Sequence, residues 1–85
     1  MAHFTVYTRN GCSYCTSAKG WLMSHGHTFD ERNVQDDPSL MEQFQAAAPG
    51  ARTVPQILLA DYLIGGYTDL IDASHNGVLK MLLGE

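Results

Sequence analysis

The first apolar run, His3-Phe4-Thr5-Val6-Tyr7-Thr8, is rich in β-branched and aromatic residues and reads as a strand. Asn10-Gly11 breaks it. From Ser13 to about His25 the period changes: Cys15, Ala18, Trp21 and Leu22 recur at helical spacing. Gly26 suits the left-handed residue that ends such a helix. Thr28 to Val34 is a second, more polar strand. Asp36-Asp37-Pro38 then marks a helix start, with Asp37 as N-cap and Pro38 at the first helical position. Leu40, Met41, Phe44 and Ala47 fall on one face of that helix, and Pro49-Gly50 stops it. Pro55 to Ala60 contains a third strand, Gln56-Ile57-Leu58-Leu59. Asp61-Tyr62 is the expected tight turn into a short fourth strand, Leu63-Ile64. Gly65-Gly66 leads into a last helix with Thr68 as its expected cap. Asn76-Gly77 breaks that helix, and Val78 to Leu83 adds a further turn or two.

The order is βαβα followed by ββα. A βαβ unit joins parallel strands through a crossover, whereas a tight β-turn-β closes antiparallel. The pattern therefore predicts an α/β domain: a mixed four-stranded sheet flanked by three helices, with helices on both faces. The 85 residues are expected to form one domain, residues 1–85, with no internal linker or repeat.

Composition narrows the function. The chain is 45% hydrophobic and 16% charged, which reads as globular. Nine acidic against five basic residues give a net charge of −4, with no Lys/Arg cluster. A nucleic-acid backbone or an anionic membrane is therefore not the expected partner. No apolar run approaches the length of a membrane span. Met1-Ala2-His3-Phe4 carries neither a charged leader nor an apolar core, so a cytoplasmic, reducing location is expected.

The two cysteines, Cys12 and Cys15, stand in "NGCSYC". In a reducing compartment such a pair suits metal binding or catalysis better than a permanent bridge. A zinc site would need histidines to complete it. His25 and His27 are spaced H-x-H around the glycine expected to end the helix, and His3 and His75 are isolated. Redox chemistry fits better. Cys12 falls where the first strand meets the first helix, where free N–H groups and the helix dipole favour a thiolate. Cys15, three residues on, lies on the same side of the first turn and faces the sheet. An activated, accessible thiol backed by a sheltered one is what thiol–disulfide exchange requires.

Three separated blocks, "YTRNGCSYC", "TVPQI" and "GGYTDL", resemble the glutaredoxin family over nearly the whole chain. The resemblance implies a thioredoxin fold and a dithiol, glutathione-dependent thiol–disulfide oxidoreductase, with Cys12 as nucleophile and Cys15 as resolving thiol. It implies a cis Val54–Pro55 peptide, with Thr53, Val54 and Pro55 facing the cysteines and the Val54 backbone pairing with an extended thiol substrate. It places the γ-glutamyl end of glutathione at Tyr67, Thr68 and Asp69, where a helix N-terminus offers donors. Arg9 and Arg52 match cations for the other carboxylate, and Tyr14 can pack over the bound tripeptide. Glu42 or Gln43 is a further candidate contact.

Glutathione is thus the implied co-substrate. Disulfide-bonded or glutathionylated proteins, ribonucleotide reductase among them, are the implied partners of a monomer. Two further readings resemble neighbouring groups. One is a redoxin that serves ribonucleotide reductase and is recharged by thioredoxin reductase, suggested by "YTRN". The other is a [2Fe–2S] carrier in which Cys12 and bound glutathione hold a cluster between two subunits. Ser13, in place of the commoner proline, leaves that second possibility open.

Overall fold

A computed structural model describes residues 2–84. The central strand, β1 (His3–Thr8), is so apolar because both of its faces are covered. Phe4 and Val6 point to one side, and Tyr7 points to the other. Parallel to β1 runs β2 (Thr28–Asn33), and antiparallel to it runs β3 (Gln56–Leu59). The fourth strand, β4 (Tyr62–Gly65), pairs antiparallel with β3, giving the sheet order β2-β1-β3-β4. This is the predicted mixed sheet.

Alternation along the strands divides the core in two. Phe4, Val6 and Ile57 join Ala18 and Leu22 of α1 (Ser13–Ser24), Leu70 and Ala73 of α3 (Tyr67–Asn76), and Leu79 of α4 (Val78–Leu82). On the other face Tyr7, Val34 and Leu58 pack on Phe44 of α2 (Pro38–Ala47). Helices therefore cover both sides, as the binary pattern implied. The polar sequence of β2 is explained by its place at the sheet edge, where charges discourage further strand pairing. Among the described residues no helix is long and apolar enough to cross a membrane.

Local signals were accurate where the chemistry was strong. The Asp37 carboxylate caps α2 by accepting from the Ser39 N–H at 2.8 Å, with Pro38 next in the chain. Gly26 has φ +77, and the amides after α1 fold back to Met23 O at 3.1 Å and Leu22 O at 2.9 Å. That is the hydrogen-bond pattern that satisfies orphan helix carbonyls.

Three expectations need correction. Met41 is exposed, because the apolar face of α2 narrows to Phe44 with Leu40 and Ala47 half-buried beside it. The β3–β4 turn is Ala60-Asp61, one residue earlier than expected, with Ala60 at φ +51, so β4 begins at Tyr62. The last helix starts at Tyr67 with Gly66 as cap, not Thr68. Asp69 at the third helical position reaches back to the Gly66 N–H at 2.8 Å and fixes that start. The tail after Gly77 forms the short α4, the further turn or two expected for Val78 to Leu83.

Candidate functional site

Cys12 is itself the N-cap of α1. Its backbone is extended, and its sulfur accepts the Cys15 N–H at 3.1 Å. Sulfur thus stands where an Asp or Ser oxygen commonly does, against free amides and the positive end of the helix dipole. Both stabilise a thiolate. Cys15 lies one turn on, 2% exposed, while Cys12 is half-buried. The two are joined as a disulfide, the oxidised member of the expected dithiol pair. An accessible sulfur therefore lies in front of a sheltered one.

The segment before β3 closes over this pair. The Val54–Pro55 peptide is cis, as the family resemblance implied. The Val54 carbonyl oxygen lies 3.6 Å from Cys12 Sγ. Buried Gln56 holds the segment by donating through Nε2 to the Thr53 carbonyl at 3.0 Å.

Next to the disulfide is a cleft of about 470 Å³. Arg9 and Tyr14 line it from the start of α1, Arg52, Thr53, Val54 and Pro55 from the β3 approach, and Tyr67, Thr68 and Asp69 from α3. All nine residues matched to glutathione contacts thus share one surface. Tyr14 and Tyr67 stack across it, ring centroids 6.1 Å apart. The lining combines two arginines with a helix N-terminus at Gly66–Asp69, and both kinds of group receive anions. Gly65 shapes that N-terminus. It has φ +118, and a Cβ added there would lie 2.9 Å from Asp69 Cγ. Only glycine lets the carboxylate sit against the Gly66 amide.

Some candidates lie elsewhere. Gln43 accepts from Arg32 at 3.1 Å, and neither it nor Glu42 lines the cleft. Arg32 in turn lies over the Tyr7 ring of β1 and donates to its hydroxyl, and its bond to Gln43 ties β2 to α2. His25 follows the far end of α1, about 18 Å from its start at 1.5 Å per residue, and stacks on Trp21. His3 pairs with Asp30 at 3.3 Å. Among the described residues no group of three or more His, Cys, Asp or Glu side chains is placed to hold a metal ion.

Gly66, of the glycine pair before the last helix, also lines the cleft, as does Gln56, which was not singled out from the sequence. Gln56 carries no signal distinguishing it from an ordinary strand residue. A second group escaped as well. The buried Thr8 hydroxyl donates to Glu31 Oε2 at 2.8 Å, and Lys19 Nζ reaches both Glu31 oxygens at 3.0 Å. Burial pushes the Glu31 carboxyl up, but the Thr8 bond, the Lys19 bond and the Lys19 charge together outweigh it and hold the group below its usual range.

A redox-active cysteine pair at the N-terminus of a helix, facing a cis-proline segment on a mixed four-stranded sheet, defines a thiol oxidoreductase of the thioredoxin-fold class. The sequence model of the glutaredoxin family matches residues 4–64. A glutaredoxin from Neisseria meningitidis is 38% identical over 84 residues, covering 98% of each chain. The glutaredoxin-like protein NrdH of Lactococcus lactis is 35% identical over 63 residues, or 74% of this chain and 85% of that one. The crystal structure of a buckwheat glutaredoxin–glutathione complex shares the fold, with a TM-score of 0.80 at 20% identity over 95% of this chain and 76% of that one. The chain belongs to the glutaredoxin family.

Proposed function

We propose that this protein is a glutathione-dependent thiol–disulfide oxidoreductase that reduces protein–glutathione mixed disulfides and protein disulfides. The observation that carries this reading is the single cleft lined by Arg9, Arg52 and the α3 N-terminus, whose Val54 carbonyl lies 3.6 Å from Cys12 Sγ. Glutathione carries two carboxylates separated by the length of a tripeptide, with a thiol between them. Charge-assisted bonds to the arginines and to the α3 amides would hold those carboxylates. The Val54 backbone, close to Cys12 Sγ, would pair with the cysteinyl peptide groups. The buckwheat protein of the same fold was crystallised with glutathione.

In the mechanism the Cys12 thiolate attacks the glutathione sulfur of a glutathionylated protein. A Cys12–glutathione disulfide forms, and the protein thiolate leaves and takes up a proton. A second glutathione, as thiolate, then attacks that glutathione sulfur, giving oxidised glutathione and free Cys12. With a protein disulfide, Cys12 first forms a mixed disulfide with one substrate sulfur. Cys15 then attacks Cys12 Sγ, releases the substrate as dithiol and leaves the Cys12–Cys15 bond seen in the structure. Two glutathiones restore the dithiol. The chain acts as a monomeric single domain in a reducing compartment such as the cytoplasm.

The scheme is asymmetric. Cys12→Ser abolishes turnover of a glutathionylated peptide and of a protein disulfide, whereas Cys15→Ser retains the first reaction and loses the second. Equal loss of both reactions in both variants overturns the scheme. The similarity to the NrdH protein supports a second reading, a redoxin recharged by thioredoxin reductase that serves ribonucleotide reductase. NADPH-coupled turnover with thioredoxin reductase, set against glutathione and its reductase, separates the two.

A further inference from the structure

Beside the cysteine pair, and distinct from the glutathione cleft, is a second cavity of about 430 Å³ lined by Cys12, Cys15, Lys19, Glu31 and the neighbouring Asn10 and Asn33. Its chemistry is unusual for so small a surface. Cys15 is almost wholly buried, yet it must lose a proton before it can attack a mixed disulfide and regain one when reduced. This cavity is the one that Cys15 lines. Lys19 follows Cys15 by four residues, so the two side chains lie on one face of α1. Its ammonium is held by both oxygens of Glu31, which projects from the edge strand β2.

The Glu31 carboxylate is fixed in turn by Thr8, a buried residue whose hydroxyl donates to it at 2.8 Å. The remaining groups there do not duplicate this pair. Asn10 and Asn33 are neutral and bonded to one another at 2.8 Å, and Arg9 is the other ionised side chain of the lining. The cavity that Cys15 lines therefore carries one negative charge from β2 and two positive charges, Lys19 from α1 and Arg9 from the β1–α1 turn.

We infer that the Thr8–Glu31–Lys19 group is a positioning device for the resolving thiol: it fixes opposed charges beside Cys15 and so sets the pH at which Cys15 resolves a mixed disulfide. The inference rests on the proposed role of Cys15 above. Glu31 stays ionised through the range in which a thiol titrates, since its carboxyl is held below the usual value. Its charge opposes a Cys15 thiolate, and Lys19 offsets that charge. Removing either partner unmasks the other, in opposite directions. A unit charge acting across a wet cavity of this width moves a thiol pKa by about half a unit.

The test is a single turnover on the intact protein. Cys12 is glutathionylated at low pH, the sample is jumped to higher pH, and release of glutathione is followed as Cys15 attacks Cys12 Sγ. In that step the Cys15 S–H loses its proton, the Cys12–Cys15 bond forms, the bond to glutathione breaks, and the glutathione thiolate leaves. Cys12 is blocked throughout, so the pH profile reports Cys15. Glu31→Gln shifts the profile down by about half a unit, and Lys19→Gln shifts it up by a similar amount. The double variant returns near wild type, and Lys19→Arg stays there. A structural staple between α1 and β2 would instead give shifts of one sign, or none, with additive loss in the double variant, and that result overturns the proposal. If wild type and Cys15→Ser release glutathione equally, the resolving role itself fails, which is a different outcome.

Discussion

Replacing Gly65 with alanine tests how the fold builds the carboxylate-binding end of the cleft. The perturbation has two parts. At φ +118 an L-residue is strained by about 1–3 kcal/mol. The new Cβ would also lie 2.9 Å from Asp69 Cγ and 3.0 Å from Asp69 Cβ. The carboxylate must move, and its bond to the Gly66 N–H is lost. A helix cap of this kind contributes about 1 kcal/mol. The total, about 2–4 kcal/mol, is a large part of the 5–15 kcal/mol that holds a typical domain folded. Urea unfolding of Gly65→Ala, Asp69→Ala and the double variant resolves the two parts. Asp69→Ala alone loses about 1 kcal/mol, the cap. In the double variant the clash with the carboxylate is gone and the cap is lost only once, leaving the 3.0 Å approach to the Cβ of residue 69, so its loss is smaller than the sum of the singles by about 1 kcal/mol. Strict additivity would refute the reasoning, since it would mean that Gly65 and Asp69 do not meet. The functional counterpart is a rise in KM for glutathione in Gly65→Ala, from displacement of the helix start.

Other expectations are simpler. Arg9→Gln and Arg52→Gln each raise KM for glutathione about two- to fivefold with little change in kcat, as befits exposed ion pairs, and steady-state kinetics at saturating mixed-disulfide substrate checks this. Ile57→Ala removes a fully buried side chain from the central layer and lowers urea-measured stability by about 2–5 kcal/mol. Acid titration of stability isolates Glu31. Its folded carboxyl lies below the ordinary 4.5, so the unfolded chain binds more protons in that region. Its small contribution is present above pH 4.5 and lost as pH falls through the lower folded value. Glu31→Gln therefore flattens the stability curve on the acid side of 4.5 and leaves its slope unchanged near neutrality.

The fold was legible because its signals are local. Alternation placed Phe4, Val6 and Ile57 on one face, and Asp37-Pro38 and Gly26 punctuated the helices by side-chain and backbone chemistry that acts within a few residues. Misreadings came where a nearby group competed. Thr68 is a good cap by type, but Asp69 reaches back and moves the helix start to Gly66. The tight turn was misplaced because Ala60, which takes positive φ there, is not a residue that favours it. Of the site, Cys12 and Cys15 could be read from their place at a strand-to-helix junction. The gathering of Arg9, Arg52 and Asp69 on one cleft joins segments far apart in sequence, and only the family resemblance anticipated it. Nothing anticipated Lys19 and Glu31. Charged residues on an edge strand and a helix surface look alike in sequence whether or not they meet beside a buried thiol.

The central claim is that the cleft beside Cys12 accepts glutathione and uses it as reductant. Turnover of a small glutathione mixed disulfide, with glutathione as sole reductant coupled to glutathione reductase and NADPH, tests this most directly. The account predicts Cys12-dependent turnover that saturates with glutathione and needs no thioredoxin reductase. Turnover supported by thioredoxin reductase but not by glutathione would contradict it.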